Sequence, residues 1–191
     1  MKGLLFVLSG PSGVGKTTVR LELTKYLPEV FLSVSATTRK RREGERDEFD
    51  YYFTNKEEFN QQIEQNKMLE WAYVHGNFYG TPIAPIDKAI CEGKNCLLVI
   101  DVQGAKQVRE KISSSILIFL LPPSFPMLEQ RLKIRGTEDE QMLRIRLENA
   151  KQELVSLQGY NYSVINHTVS QAVRDVVEVI TRCINRRKHD R

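Results

Sequence analysis

Short, unbroken apolar runs alternate along this chain with longer stretches in which apolar residues recur every three or four positions. The runs Leu4-Leu5-Phe6-Val7-Leu8, Cys96-Leu97-Leu98-Val99-Ile100 and Ile116-Leu117-Ile118-Phe119-Leu120-Leu121 have the length of strands buried on both faces. The last one stops at Pro122-Pro123, which cannot donate ladder hydrogen bonds. Shorter strands are predicted over 31–35 and 163–165, and helices over 18–26, 86–92, 124–134 and 138–157. A closing helix places Ala172, Val173, Val176, Val177, Ile180 and Ile184 on one face, with Ser170 as its N-cap. It ends in Arg186-Arg187-Lys188, cations that suit a helix C-terminus. No element is predicted for 102–115. Strand-like and helix-like segments in alternation predict an α/β fold, a mostly parallel sheet covered by helices.

Residues 36–82 interrupt that alternation. Asp50-Tyr51-Tyr52-Phe53 is strand-like, and Thr54-Asn55-Lys56-Glu57 has capping-box spacing before a polar helix ending near Asn66. Met68-Leu69-Glu70-Trp71-Ala72-Tyr73-Val74 then alternates in β fashion up to a turn at His75-Gly76-Asn77. The segment reads as a small β-rich insertion.

The first apolar run feeds directly into Gly10-Pro11-Ser12-Gly13-Val14-Gly15-Lys16-Thr17, a complete G-x-x-x-x-G-K-T loop, with a helix-compatible stretch beyond it. A strand, a glycine-rich turn and a helix start aim successive backbone N–H groups at one point, and such a point attracts phosphate. Lys16 supplies a mobile positive charge for the β- and γ-phosphates, and the Thr17 hydroxyl can ligate a bridging Mg²⁺. Four apolar residues running into Asp101 resemble a Walker B strand, whose carboxylate orients Mg²⁺ or a water bound to it. Arg39-Lys40-Arg41-Arg42 adds four cations in a row, followed by Glu43-Gly44-Glu45. Two arginines three apart can grip the dianionic phosphate of a nucleoside monophosphate through their fork-shaped guanidinium groups. Taken alone, the same run also fits a solvated basic stretch or a nucleic-acid patch.

Composition narrows the class less sharply. A chain of 191 residues can bury a core in one domain with small inserts, and it carries no low-complexity tract or internal repeat. A net charge of +4 fits a protein whose cations gather around phosphorylated small molecules as well as one that binds nucleic acid. Cys91, Cys96 and Cys183 form no C-x-x-C pair and are odd in number, so they read as reduced core thiols of a cytosolic protein. The N-terminal apolar run is too short for a signal-peptide core or a bilayer span.

Further segments carry a family resemblance. Ser-Gly-Pro-Ser-Gly-x-Gly-Lys at 9–16, Ser-Val-Ser at 33–35, Thr-Thr-Arg-x-x-Arg-x-Gly-Glu at 37–45 and Asp-Tyr-x-Phe at 50–53 resemble guanylate kinases. So do Glu-Trp-Ala at 70–72, Gly-Asn-x-Tyr-Gly-Thr at 76–81, Ile-Asp-Val-Gln-Gly-Ala at 100–105 and Arg-Gly-Thr-Glu at 135–138, in order over nearly the whole chain. The resemblance implies a P-loop three-layer α/β/α core (1–35, 83–123 and 158–191), a GMP-binding insertion at 36–82 and a helical lid at 124–157. It implies transfer of the ATP γ-phosphoryl group to GMP, and to dGMP, with Mg²⁺. ATP would be held by Gly10, Pro11, Ser12, Gly13, Val14, Gly15, Lys16, Thr17, Thr18, Arg131, Arg135 and Asn166. GMP would be held by Ser35, Arg39, Arg42, Tyr51, Glu70, Tyr79, Thr81 and Asp101. Within that set, Arg39, Arg42, Tyr51 and Tyr79 would take the phosphate, Glu70 would face the guanine, and Ser35 and Thr81 would add contacts to the base. Lys16, Arg39, Arg135 and Arg146 would be catalytic, and Thr17, with Asp101 through water, would hold the metal. Partners would then be small nucleotides, with neither nucleic acid nor a membrane, in the cytoplasm.

Three positions depart from the family pattern. Val99 stands where an acid is common, Arg41 where a proline is common, and His167 where an aspartate is usual. A guanylate-kinase-like binding module without catalysis is the main competing expectation, and the intact loop at 10–17 argues against it. A GTPase would explain Asp101-Val102-Gln103-Gly104, yet no Asn-Lys-x-Asp follows it. A kinase for another nucleoside monophosphate is disfavoured by Glu70.

Overall fold

The computed structural model describes residues 2–74, 76–134 and 140–189 of the chain. In chain order its elements are β1 Leu5–Ser9, α1 Lys16–Tyr26, β2 Phe31–Leu32, β3 Ser35–Thr37, β4 Tyr51–Phe53, α2 Lys56–Glu64, β5 Met68–Val74 and β6 Asn77–Pro82. They continue with α3 Ile83–Cys91, β7 Cys96–Val99, α4 Val102–Lys111, β8 Ile116–Leu121, α5 Phe125–Ile134, α6 Glu140–Val155, a 3₁₀ turn at Ser156–Gly159, β9 Tyr162–Ile165 and α7 Val169–His189. This is the α/β fold that the alternation predicts. The chain forms two compact units, one built from Met1–Leu5, Glu29–Leu98 and Gln103–Ser115, the other from Phe6–Pro28, Val99–Val102 and Ile116–Arg191.

In the second unit β1 lies parallel to β8, with Phe6 opposite Ile116 and Ser9 opposite Phe119, and β8 lies parallel to β9. Phe6, Leu8, Ile118, Phe119 and Leu120 are fully buried. Each such side chain contributes about 1.5–3 kcal/mol relative to an exposed one, which explains why the apolar runs here are continuous. The α1 residues Val19 and Leu23 are buried, as is the α7 stripe Ala172, Val173, Val176, Ile180 and Cys183. Cys183, not the expected Ile184, ends that stripe.

The other unit pairs β2 in parallel with β7, Phe31 opposite Cys96. A second sheet runs in the order β4-β3-β6-β5. Its β3–β4 pair is parallel, and its β3–β6 and β5–β6 pairs are antiparallel. Helix α2 covers one face of it through Phe59 and Ile63, which pack with Ala36, Met68, Tyr52 and Phe78.

Several local expectations require correction. The run 31–35 is not one strand: Ser33 N–H makes its bond to Leu97 O, and the chain then leaves for the second sheet at Ser35. Asn55, not Thr54, caps α2, its Oδ1 accepting from Glu58 N–H at 2.8 Å, so the box is shifted by one residue. Helix α3 starts at Ile83, earlier than 86, because Pro85 can occupy a first helical turn. Helix α4 has no counterpart among the predicted elements, although Val102, Ala105 and Val108 recur at a three-residue spacing and are buried. Cys96 and Cys183 are buried and burial pushes the Cys96 thiol up to about 11. Cys91 is exposed, at the end of α3 and away from its buried Ile86 and Ala89.

The cap of α7 yields a direct test. Thr168, not Ser170, precedes the helix, and its Oγ1 accepts from Gln171 N–H at 3.3 Å. Thr168→Ala is expected to lower the unfolding free energy by about 1 kcal/mol, and Ser170→Ala to change it by less than about 0.5 kcal/mol. Urea titrations of the two variants check this; the reverse order would restore Ser170 as the cap.

Candidate active site

The glycine-rich loop joins β1 to α1 within the second unit. Gly10 has φ 152°, and a Cβ there would lie 2.3 Å from Leu120 O, so the strand can turn only without a side chain. Gly15 caps α1 in the left-handed region, φ 101°. Between them the Val14 carbonyl accepts from Asn166 Nδ2 at 2.8 Å and Arg131 Nη1 at 3.4 Å, and Arg131 Nη2 donates to Asn166 O at 3.0 Å. In a trans peptide C=O and N–H point in opposite directions, so tying down this carbonyl turns the Gly15 N–H the other way. The start of α1 adds the positive end of its helix dipole.

Lys16 Nζ donates to Gly10 O at 2.5 Å and Pro11 O at 3.2 Å. Glu153, on α6, accepts from Ser12 N–H at 3.1 Å. Burial raises the Glu153 carboxyl pKa; Lys16 and the Ser12 N–H pull it back, while Asp101 adds to the rise. Tyr160 is pushed up to about 12, chiefly by burial, with Asp101 and Glu153 adding to the effect. Thus Lys16, Asp101, Glu153 and Tyr160 share one electrostatic neighbourhood. Glu153 and Tyr160 were missed in the sequence, where nothing distinguishes a glutamate in a polar helix from a surface one.

Thr17 and Thr18 are exposed in the first turn of α1, and Asp101 is half-buried just beyond β7. A threonine hydroxyl and a carboxylate are hard oxygen donors that suit Mg²⁺, which keeps several waters and takes phosphate oxygens. No group of three or more His, Cys, Asp or Glu among the described residues could hold a metal, so an ion here would lean on nucleotide and water. Arg131 and Arg146 are half-buried. Arg135 lies outside the described residues.

The second group of expected residues lies on the four-stranded sheet of the other unit. Directly opposed residues share a face, and side chains alternate faces along a strand. Ser35 opposes Tyr51, Thr37 opposes both Phe53 and Tyr79, Ala72 opposes Tyr79, and Glu70 opposes Thr81. Tyr51, Ser35, Tyr79, Thr81 and Glu70, drawn from all four strands, therefore occupy one face, and α2 covers the other.

Glu70 is 3% exposed, and Thr81 Oγ1 donates to its Oε1 at 2.5 Å. A buried carboxylate is costly unless hydrogen-bonded, so this arrangement is built rather than incidental. Its face is set by a β-bulge: the register against β6 shifts between Met68, opposite Pro82, and Glu70, opposite Thr81. In a regular strand Met68 and Glu70 would share a face. The extra residue, Leu69, lets Met68 join the α2 core while Glu70 faces Thr81.

Beyond β3, the Arg39 guanidinium lies 5.5 Å from the Tyr51 ring centroid and 5.9 Å from that of Phe53. Its Nη2 meets Glu45 Oε1 at 2.6 Å, and Nη1 donates to Lys40 O at 2.7 Å. Glu45 Oε2 also accepts from Arg42 N–H at 2.8 Å. Burial alone would raise the Glu45 carboxyl, but the hydrogen bonds from Arg39 and from the Arg42 backbone hold it below the usual range. Burial likewise opposes the Arg39 charge, and Glu45 and Tyr79 outweigh it. Glu45 is thus a member of this cluster to which the sequence assigned no role, although it closes the motif at 37–45 and stands next to four cations. The Arg42 side chain is exposed.

Known proteins resemble this chain over nearly its whole length. The guanylate kinase family model matches residues 2–183. A guanylate kinase of Carboxydothermus hydrogenoformans is 42% identical over 94% of this chain and 88% of its own length. One of Thermotoga maritima is 46% identical over 94% and 87%. A crystal structure of guanylate kinase from Anaplasma phagocytophilum superposes with a TM-score of 0.79 at 32% identity, covering 95% of this chain and 86% of that one. With the loop, the Glu70–Thr81 pair and these matches in place, the chain belongs to the guanylate kinase family.

Proposed function

We propose that this chain transfers the γ-phosphoryl group of ATP to GMP, giving ADP and GDP, and accepts dGMP in the same way. The observation that carries the reading is the buried Glu70 carboxylate, held by Thr81 on the same sheet face as Tyr51 and Tyr79. Guanine presents two adjacent donors, N1–H and the N2 amino group, which a carboxylate can accept together; adenine presents no such pair. A bidentate base contact discriminates by about 1–3 kcal/mol, and leaving a buried acceptor unpaired rejects the wrong base further. Ser35 adds a base contact, while Arg39, Tyr51 and Tyr79, with Arg42, hold the phosphate.

A phosphate monoester has a second pKa of about 6, so the acceptor oxygen is already ionised and needs no general base. That oxygen bonds to the γ-phosphorus as the bond to the β–γ bridging oxygen breaks, and ADP leaves with the electron pair. The protein's work is alignment and neutralisation of charge. Loop N–H groups cradle the triphosphate, and Lys16 exchanges the Gly10 and Pro11 carbonyls for β- and γ-phosphate oxygens. Arg131, Arg135 and Arg146 supply further positive charge. Thr17 and, through water, Asp101 would hold Mg²⁺, which would supply further screening of the phosphate oxygens. In this reading 1–35, 83–123 and 158–191 form the core, 36–82 receives GMP, and 124–157 is the lid. The expected partners are free nucleotides in the cytoplasm; no helix among the described residues is long and apolar enough to cross a membrane.

Three outcomes are expected in a coupled assay with ATP and Mg²⁺. Offered GMP, dGMP, AMP, UMP and dTMP in turn, the enzyme should be fastest on a guanine nucleotide, and faster turnover on any other base would sink the specificity. Lys16→Ala should lower kcat by at least about 100-fold, as loss of a charge-stabilising group does elsewhere, while calorimetry still detects GMP binding. Glu70→Gln should raise KM for GMP by about 10–100-fold, corresponding to a lost charged hydrogen bond. KM for ATP should stay near the parent value; equal losses would point to misfolding.

A further inference from the structure

The bulge that turns Glu70 toward Thr81 lies on β5, the edge strand of its sheet, where nothing in the β5–β6 ladder fixes the outer backbone groups. Helix α4 meets that edge with two side chains one turn apart. Lys111 Nζ donates to Leu69 O at 2.6 Å and to Met68 O at 3.3 Å, the two carbonyls of the bulge itself. Gln107 takes the next residue from both sides: its Oε1 accepts from Trp71 N–H at 3.1 Å, and its Nε2 donates to Trp71 O at 2.6 Å. The amide thereby stands in for a missing strand neighbour. Together the two side chains bracket Glu70 along the backbone, with contacts at 68, 69 and 71.

An ordinary edge lysine would point to water, and a bulge on an edge strand is held by the ladder on one side only. A slip that absorbed the bulge would return Glu70 to the face that Met68 occupies. We infer that Lys111 and Gln107 are positioning residues for guanine recognition, acting through the β5 backbone to keep the Leu69 bulge in place and Glu70 on the nucleotide face. This inference rests on the reading of Glu70 as the guanine acceptor. It assigns discrimination between bases partly to a helix that contributes no side chain to the base.

The test is steady-state kinetics with GMP and with inosine monophosphate, which lacks the 2-amino donor. Lys111→Met should raise KM for GMP about tenfold, equivalent to about 1.4 kcal/mol, and KM for inosine monophosphate by less, because only one of the two donors to Glu70 remains. KM for ATP should change by less than about twofold, and Lys111→Arg, which still reaches the carbonyls, should restore most of the GMP affinity. In a Glu70→Gln background the effect of Lys111→Met should shrink to about twofold or less, the non-additivity expected of residues acting through one group. A full tenfold effect in that background, or an unchanged KM for GMP in folded Lys111→Met, overturns the inference while leaving Glu70 in its role. A Glu70→Gln enzyme with parental KM values for both nucleotides overturns the guanine reading and this inference together. Gln107→Leu, expected to lower the GMP preference in the same direction, serves if Lys111→Met does not fold, and a parental preference in it counts against the inference.

Discussion

The two-residue repeat of a β-strand is the constraint on which the proposed acceptor site depends. Once Ser35, Tyr51, Tyr79 and Thr81 are placed on one face by direct opposition, the other face is committed to Ala36, Tyr52 and Phe78 and to the helix that covers them. A strand of this sheet cannot serve both faces with residues two apart unless its repeat is broken. β5 breaks it once, at Leu69, and that break separates an apolar core residue from a buried carboxylate. Binding chemistry and core packing are thus satisfied by a single extra residue.

The phosphate loop meets a different constraint. Anion binding through backbone N–H groups requires peptides that are both bare and fixed in orientation. Bareness comes from glycine, as at Gly10, where Leu120 O leaves no space for a Cβ. Orientation comes from outside the loop, from Asn166 and Arg131 on the Val14 carbonyl and from Glu153 on the Ser12 N–H. The sequence separations of these contacts, 152 residues for Asn166 and 141 for Glu153, show how far the chain must fold before the loop is complete.

That contrast explains what could be read beforehand. The loop at 10–17 was legible because its chemistry is contiguous, and the buried strands because their apolar runs are. Arg39 stood out as one of two arginines three apart, whereas Glu70 and the tyrosines became legible only through family resemblance, since cross-strand opposition is invisible in a linear text. The bulge at Leu69 leaves no mark in an apparently regular alternation. Helix α4 escaped notice because Gly104 and six charged or amide residues hide its buried stripe. Thr168 and Ser170 are equally good caps by composition, and the β9–α7 connection decides between them. Glu45 and Glu153 look like surface acids until tertiary structure places a guanidinium or a loop amide beside them.

The pairing of Arg39 with Glu45 has a consequence for how an anion would be exchanged. The loop 39–42 holds four adjacent cations, yet its most enclosed guanidinium already has a resident carboxylate as counter-ion. An arriving phosphate would meet a pre-shaped pair and compete with, or share, an internal anion, instead of condensing onto bare positive charge. Mobile ions in the buffer would then have less to release, and the loop would be less sticky toward polyanions at large than its run of cations suggests. Selectivity for one small dianion over a long charged polymer would in this way be built into the loop before any base is read.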